Sequence, residues 1–91
     1  MHEMGIASSV LETVHRELHC PGVNRAERAV TVGLRIGELA GVDSESLRFC
    51  FEALTKGTEF ESLELEIERT DNDDLAIAFI ELDDAFKEVH A

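Results

Sequence analysis

Apolar residues recur at intervals of three and four along the first twenty positions, which is the spacing of one face of an α-helix. We predict a helix from about Glu3 to Cys20 that ends at Pro21-Gly22. Its apolar face consists of Ile6, Val10, Leu11, Val14 and Leu18.

The same spacing returns after Gly41 and predicts a second helix. Asp43 or Ser44 can cap its start. Gly57, directly after Lys56, is suited to its end. Its predicted core face consists of Leu47, Cys50, Phe51 and Leu54, which makes Cys50 a core residue and not a nucleophile.

Three segments are typical of strands. Apolar residues alternate with others from Val30 to Ile36, before the segment 37–41 breaks the pattern. From Leu63 to Arg69 they alternate with Glu64, Glu66 and Glu68, a row that could attract cations but is better suited to blocking edge-to-edge pairing. The third strand, Leu75 to Leu82, is apolar on both faces, so we expect it to be covered on both sides or to pair with another chain.

The element order predicts a single α+β (α/β two-layer) domain spanning residues 1–91. In the order α-β-α-β-β, the strand–helix–strand unit makes its two strands parallel. We expect the short polar turn over residues 70–74 to form a hairpin, which gives a mixed three-stranded sheet with two helices packed on it. Residues 83–91, including His90, are expected to form a short tail or a helical turn.

The composition excludes several classes of partner. A formal charge of −12 opposes binding to nucleic acids and to anionic membranes. No apolar run approaches the roughly 18 residues of a membrane span, and no leader pattern is present, so we expect a cytoplasmic protein. Cys20 and Cys50 are expected to be free thiols, and there is no CxxC pair.

The first three residues, Met1, His2 and Glu3, offer a compact set of metal ligands. The α-amino nitrogen, the deprotonated His2 amide and the His2 imidazole can close two adjacent chelate rings. Glu3 can fill a fourth position with its amide nitrogen or its carboxylate. A planar set rich in nitrogen suits Ni(II) or Cu(II).

A second candidate group lies near the end of the first predicted helix. His15 and His19 are four residues apart, beside Cys20. A histidine pair with this spacing can bind zinc or nickel on one helix face. Because both positions flank the apolar stripe, solvent-facing histidines without a metal are the alternative interpretation.

Several blocks, in this order, resemble the HypA family of nickel incorporation proteins, which serve [NiFe]-hydrogenase and sometimes urease maturation. They are Met1-His2-Glu3-Met4-Gly5-Ile6-Ala7, Leu34-Arg35-Ile36-Gly37-Glu38-Leu39-Ala40-Gly41-Val42, Leu47-Arg48-Phe49, Phe51-Glu52, Lys56-Gly57-Thr58 and Leu65-Glu66-Ile67-Glu68.

The resemblance implies a nickel metallochaperone rather than an enzyme. It implies that His2 is the essential imidazole ligand, that Met1 supplies its amine, and that backbone nitrogens of His2 and Glu3 complete a plane around Ni(II). Asp43 could add a carboxylate, or serve only as a helix cap. The implied partners are the maturation GTPase HypB and the hydrogenase large subunit. No chemistry is assigned to the Gly37-Glu38-Leu39 loop.

One departure from the family is large. Its members carry a domain with two CxxC motifs that binds structural zinc, inserted before a last strand that returns to the nickel domain. Here only a short polar turn separates Arg69 from Leu75, so we expect that insert and its zinc to be absent. The alternative function is a scaffold that binds partners without metal. We expect a monomer or a weak homodimer.

Overall fold

A computed structural model describes residues 2–22 and 27–84. Met1, residues 23–26 and the predicted tail from residue 85, with His90, lie outside the described residues. The elements are helix α1 (Glu3–Leu18), strand β1 (Glu27–Gly37), a 3₁₀ turn (Glu38–Ala40), helix α2 (Ser44–Thr55), strand β2 (Glu64–Thr70) and strand β3 (Leu75–Asp84). This order and the mixed three-stranded sheet confirm the predicted α+β fold.

The two helices cover one face of the sheet and enclose the core. Strand β1 is the central strand, and its core-facing side chains are fully buried. The core consists of Ala7, Val10, Val14, Val32, Leu34, Ile36, Val42, Leu47, Phe51 and Leu63. The predicted periodicities of α1 and β2 are therefore confirmed as burial patterns, with Leu65 and Ile67 of β2 half-buried. In β1 the predicted core face is buried, but Thr31 and Gly33 on the other face are buried too.

The helix ends follow local chemistry. Helix α1 ends at Leu18, slightly before the predicted Cys20, and His19 takes the capping position. Helix α2 begins after Asp43, whose side chain accepts a hydrogen bond from Glu45 N, and the chain turns at Gly57, where φ is 78°. Glycine suits this left-handed conformation because it has no Cβ.

The core face of α2 differs from the prediction at two positions. Cys50 is half-buried at the edge of the core, and Leu54 is 37% exposed. Thr55 is buried instead. Its hydroxyl donates to the carbonyl oxygens of Phe51 (2.9 Å) and Glu52 (3.2 Å), so the buried polar group is satisfied within its own helix.

The predicted hairpin between the last two strands is wrong. The sheet order is β2-β1-β3: β1 pairs in parallel with β2, as predicted, but β3 pairs antiparallel with β1 on its other side. The connector of residues 71–74 crosses the end of β1, where Gly37 N donates to Asp74 O (2.7 Å) and Leu39 N to Asn72 O (2.9 Å). A Cβ at Gly37 would overlap Asn72 O, so only glycine permits this crossing.

Strand β3 is longer and less covered than expected. It continues through Asp83 and Asp84, which were predicted to begin the tail. In the described part of the chain only one of its faces is packed, because Ala76, Ala78 and Phe79 are exposed. The Phe79 ring lies over Gly33, where it occupies the space of the missing side chain.

Candidate metal centre at the start of helix α1

His2 is the N-capping residue of α1, in an extended conformation, and its side chain is exposed. The first backbone bond of the helix runs from Ile6 N to His2 O at 3.1 Å. The amides of His2 and Glu3 precede that bond, so neither is needed for the hydrogen-bond ladder of the helix. A metal could therefore take both nitrogens without breaking a helical hydrogen bond.

Glu3 is fixed by a contact across the fold. Its Oε2 accepts a hydrogen bond from the backbone N–H of Asp43 at 3.0 Å. This bond, with a smaller contribution from its own backbone amide, lowers the pKa of the Glu3 carboxyl. The carboxylate therefore attaches the first turn of α1 to the start of α2. The Glu3 amide is also engaged with this carboxylate, so a metal that binds the Glu3 amide nitrogen would replace that local hydrogen bond.

Asp43 uses both carboxylate oxygens within its own helix. Oδ1 accepts from Glu45 N at 3.1 Å, and Oδ2 accepts from the Ser46 hydroxyl at 3.0 Å. The capping role expected from the sequence is confirmed. Its backbone, through the bond to Glu3, also positions the candidate ligands.

Arg69 holds the loop that carries Asp43. Its Nε donates to Glu38 Oε1 at 3.1 Å, and its Nη1 donates to Val42 O (3.3 Å) and to the Ser44 hydroxyl (2.9 Å). The hydrogen bond and the charge of Arg69 lower the pKa of the Glu38 carboxyl. Sequence reasoning missed this role. The available signal was a lone basic residue within an acidic segment.

The Gly37-Glu38-Leu39 loop thus has an architectural role. Gly37 lets the connector pass, Glu38 pairs with Arg69, and the backbone N–H of Leu39 bonds to Asn72 O. The Leu39 side chain itself is 76% exposed. These contacts hold the loop against Arg69 and the connector between β2 and β3.

An apolar groove of about 560 Å³ lies between α1 and β3, with His2 among its lining residues. Gly5, Ile6 and Ser9 line it on the helix side, and Leu75 and Ile77 line it on the strand side. No acidic side chain borders this groove in the described residues. The imidazole of His2 is therefore the metal-binding side chain that the described lining offers.

Within residues 2–22 and 27–84, no three side chains of His, Cys, Asp and Glu converge into a metal cluster. A centre at the start of α1 would accordingly need main-chain nitrogens in addition to its side chains. Cys20 and Cys50 are both free thiols, as predicted. No helix in the described part of the chain combines the length and apolarity needed to cross a bilayer.

Comparison with known proteins identifies the family. Residues 1–73 match the family model described as hydrogenase/urease nickel incorporation, metallochaperone, hypA. The hydrogenase maturation factor HypA of Chlorobium limicola is 48% identical over 68 residues, covering 75% of this chain and 56% of that protein. HypA of Methanopyrus kandleri is also 48% identical over 68 residues, covering 75% and 46%.

A solved structure has a similar fold. The solution structure of the nickel metallochaperone HypA from Helicobacter pylori aligns with a TM-score of 0.65 at 20% identity, covering 87% of this chain and 72% of that one. This chain spans about half the length of the curated relatives it matches. Because the family model covers most of the sequence, the chain belongs to the HypA family of hydrogenase/urease nickel incorporation proteins.

Proposed function

We propose that this domain carries Ni(II) as cargo at its N-terminus for hydrogenase maturation. The ligands are the Met1 amine, the His2 imidazole and the backbone nitrogens of His2 and Glu3. The observation that carries the proposal is the start of α1. There an exposed imidazole stands beside two amides that the helix does not use.

Binding of Ni(II) by these nitrogens releases protons. An ammonium at Met1 loses one proton, and the amides of His2 and Glu3 lose one each. The two anionic amide nitrogens then balance the double charge of Ni(II), while the amine and imidazole bind as neutral donors. Nickel affinity should rise steeply with pH because protons compete for these nitrogens.

The surroundings support transfer to a partner. His2 is exposed, so an incoming donor can approach the metal and replace the imidazole first. The bond from Asp43 N to the Glu3 carboxylate holds the first turn during this exchange. The proposed recipients are a HypB-like GTPase and the large subunit of a [NiFe]-hydrogenase.

We further propose that the domain acts without the family's structural zinc. Residues 71–74 alone connect β2 to β3, and both strands pair with β1 in one sheet. The core buries side chains from α1, α2, β1 and Leu63, so it needs no metal to close. The domain would thus deliver Ni(II) without the zinc-binding insert.

The test is a Ni(II) titration followed by calorimetry and by the visible absorption of a planar nickel complex. We compare the chain beginning at Met1 with His2→Ala and with a chain extended by one residue before Met1. Glu3→Gln is the matched control, because it keeps the amide nitrogen and changes only the carboxylate. We expect one equivalent of planar complex, loss of it in both test proteins, and affinity within a few-fold of the parent in Glu3→Gln.

Two outcomes would overturn this proposal. A planar complex that survives both changes would place the metal elsewhere. If the parent chain forms no complex but binds a partner protein equally well with and without nickel, the metal-independent scaffold is the correct function.

A further inference from the structure

The C-terminal end of α1 presents two imidazoles side by side, one in its last turn and one at its capping position. The rings of His15 and His19 have centroids 4.4 Å apart and are tilted by 43°. Both side chains are exposed. Along a helix that rises about 1.5 Å per residue, His15 lies about 20 Å from His2, so this pair is separate from the start of the helix.

A hydrogen bond fixes the tautomer of His19. Its Nδ1 lies 2.8 Å from the backbone oxygen of His15. A carbonyl oxygen can only accept, so Nδ1 carries the proton and Nε2 keeps its lone pair. The bond also satisfies one of the free carbonyl groups at the end of α1, which keeps the ring in place.

His15 has a carboxylate and an aromatic ring as neighbours. Its Nδ1 faces Glu59 Oε1 at 3.9 Å. The Phe60 ring stands edge-on to the imidazole, with centroids 6.5 Å apart at 86°. The distance to Glu59 is too long for a direct hydrogen bond, but the negative charge on the Nδ1 side favours the tautomer that leaves Nε2 free as the donor. A hydrogen-bonded oxygen acceptor at the distal nitrogen is the usual support of a metal-binding histidine, and His19 has one.

We propose that His15 and His19 form a second metal site, for divalent cations that prefer imidazole, namely Zn(II), Ni(II) and Cu(II). Two histidines four apart on one helix face can ligate one such ion. Solvent completes the coordination shell, because the described residues bring no third metal-binding side chain to the pair. A site with two protein ligands exchanges its metal readily and clamps the last turn of α1 while occupied.

Neighbouring Cys20 is not part of this site. Its Sγ donates to Glu17 Oε2 at 3.3 Å and to the Arg16 carbonyl at 3.6 Å. Both hydrogen bonds hold the thiol against the end of its own helix. The pair binds through nitrogen alone.

The test uses Zn(II) with the His2→Ala variant of the chain, so that it does not depend on the proposed nickel site. Residue-specific NMR signals of the His15 and His19 rings are followed during the titration. We expect saturation of both rings with one equivalent, and at least a tenfold weaker affinity when either residue is replaced by Gln. The double variant His19→Gln/Cys20→His keeps two imidazoles but places them five apart, and it should bind as weakly as the single variants.

Glu59→Gln tests the positioning residue. We expect weaker Zn(II) binding together with a measurable shift of the metal-free His15 ring away from the Nδ1–H tautomer, read from its ring nitrogen shifts. The proposal is overturned if Zn(II) leaves both rings unshifted. It is also overturned if a single Gln variant, or the variant with altered spacing, binds as tightly as the parent.

Discussion

Gly37 is the position where the smallest substitution should have the largest effect on stability. The connector from β2 to β3 crosses directly against its backbone. A Cβ added there would overlap the carbonyl group of Asn72 and lie 2.7 Å from Asp74 N. All of these atoms are backbone, so no side-chain rotation can relieve the overlap.

The expected cost of Gly37→Ala follows from two contributions. Forcing an extra methyl group into packed structure costs about 1–3 kcal/mol. Moving the connector away breaks the bonds from Gly37 N to Asp74 O and from Leu39 N to Asn72 O, at about 0.5–1.5 kcal/mol each. The free energy of unfolding should therefore fall by about 2–6 kcal/mol, a large share of the roughly 5–15 kcal/mol typical of a domain.

Urea unfolding followed by far-ultraviolet circular dichroism measures this change, and two other glycines provide controls. A Cβ at Gly5 meets no atom within 4 Å, so Gly5→Ala should be neutral or stabilise α1 by up to about 1 kcal/mol. A Cβ at Gly33 meets the Phe79 ring, which is 44% exposed and can rotate away. Gly33→Ala should therefore lie between the other two. If Gly37→Ala unfolds at the same urea concentration as the parent, the described crossing is wrong.

Three further predictions follow from the packing and charges. Leu47 is fully buried and Leu54 is 37% exposed. In urea unfolding, the free energy of unfolding should therefore fall by about 2–5 kcal/mol for Leu47→Ala and by under about 1 kcal/mol for Leu54→Ala. Equal losses would refute the core assignment. Asp43→Ala should lower the free energy of unfolding by about 0.5–2 kcal/mol, because the helix cap is lost. Nickel affinity measured by calorimetry should stay unchanged, because the backbone N–H that donates to Glu3 remains. A large loss of affinity would show that the Asp43 carboxylate is a ligand. Arg69 lowers the pKa of the Glu38 carboxyl, so the stability that this ion pair contributes is complete above pH 4.5 and is lost as the pH falls through the lowered pKa. When the stability of Arg69→Gln is measured across the same acid range, this loss should be absent.

The sequence was sufficient to predict the elements whose periodicity is local. The apolar stripe of α1 and the alternation in β1 and β2 each place side chains on one face, and burial follows from that. The position of β3 could not be read in this way. A short polar connector is compatible with a hairpin, and the alternative depends on the absent side chain of Gly37 together with the path of Asn72. Both are properties of the assembled sheet.

The candidate site also combines features that are local in sequence with contacts between residues far apart in sequence. His2 and Glu3 stand out in the sequence because imidazole and amide nitrogens are adjacent along the chain. The contact from Asp43 N to the Glu3 carboxylate joins residues 40 apart and has no local signal. The pairing of Arg69 with Glu38 likewise spans 31 positions. Sequence patterns therefore identified the proposed donors, while the structure identified what holds them.

The most direct test of the account is the coordination geometry of Ni(II) bound to the chain that begins at Met1. Four nitrogen donors in one plane should give a diamagnetic nickel complex, with sharp NMR signals for the residues of the first turn. The same measurement on His2→Ala should show no such complex. A paramagnetic, six-coordinate ion in the parent chain would instead indicate carboxylate and water ligands, and would contradict the proposed centre of main-chain nitrogens and one imidazole.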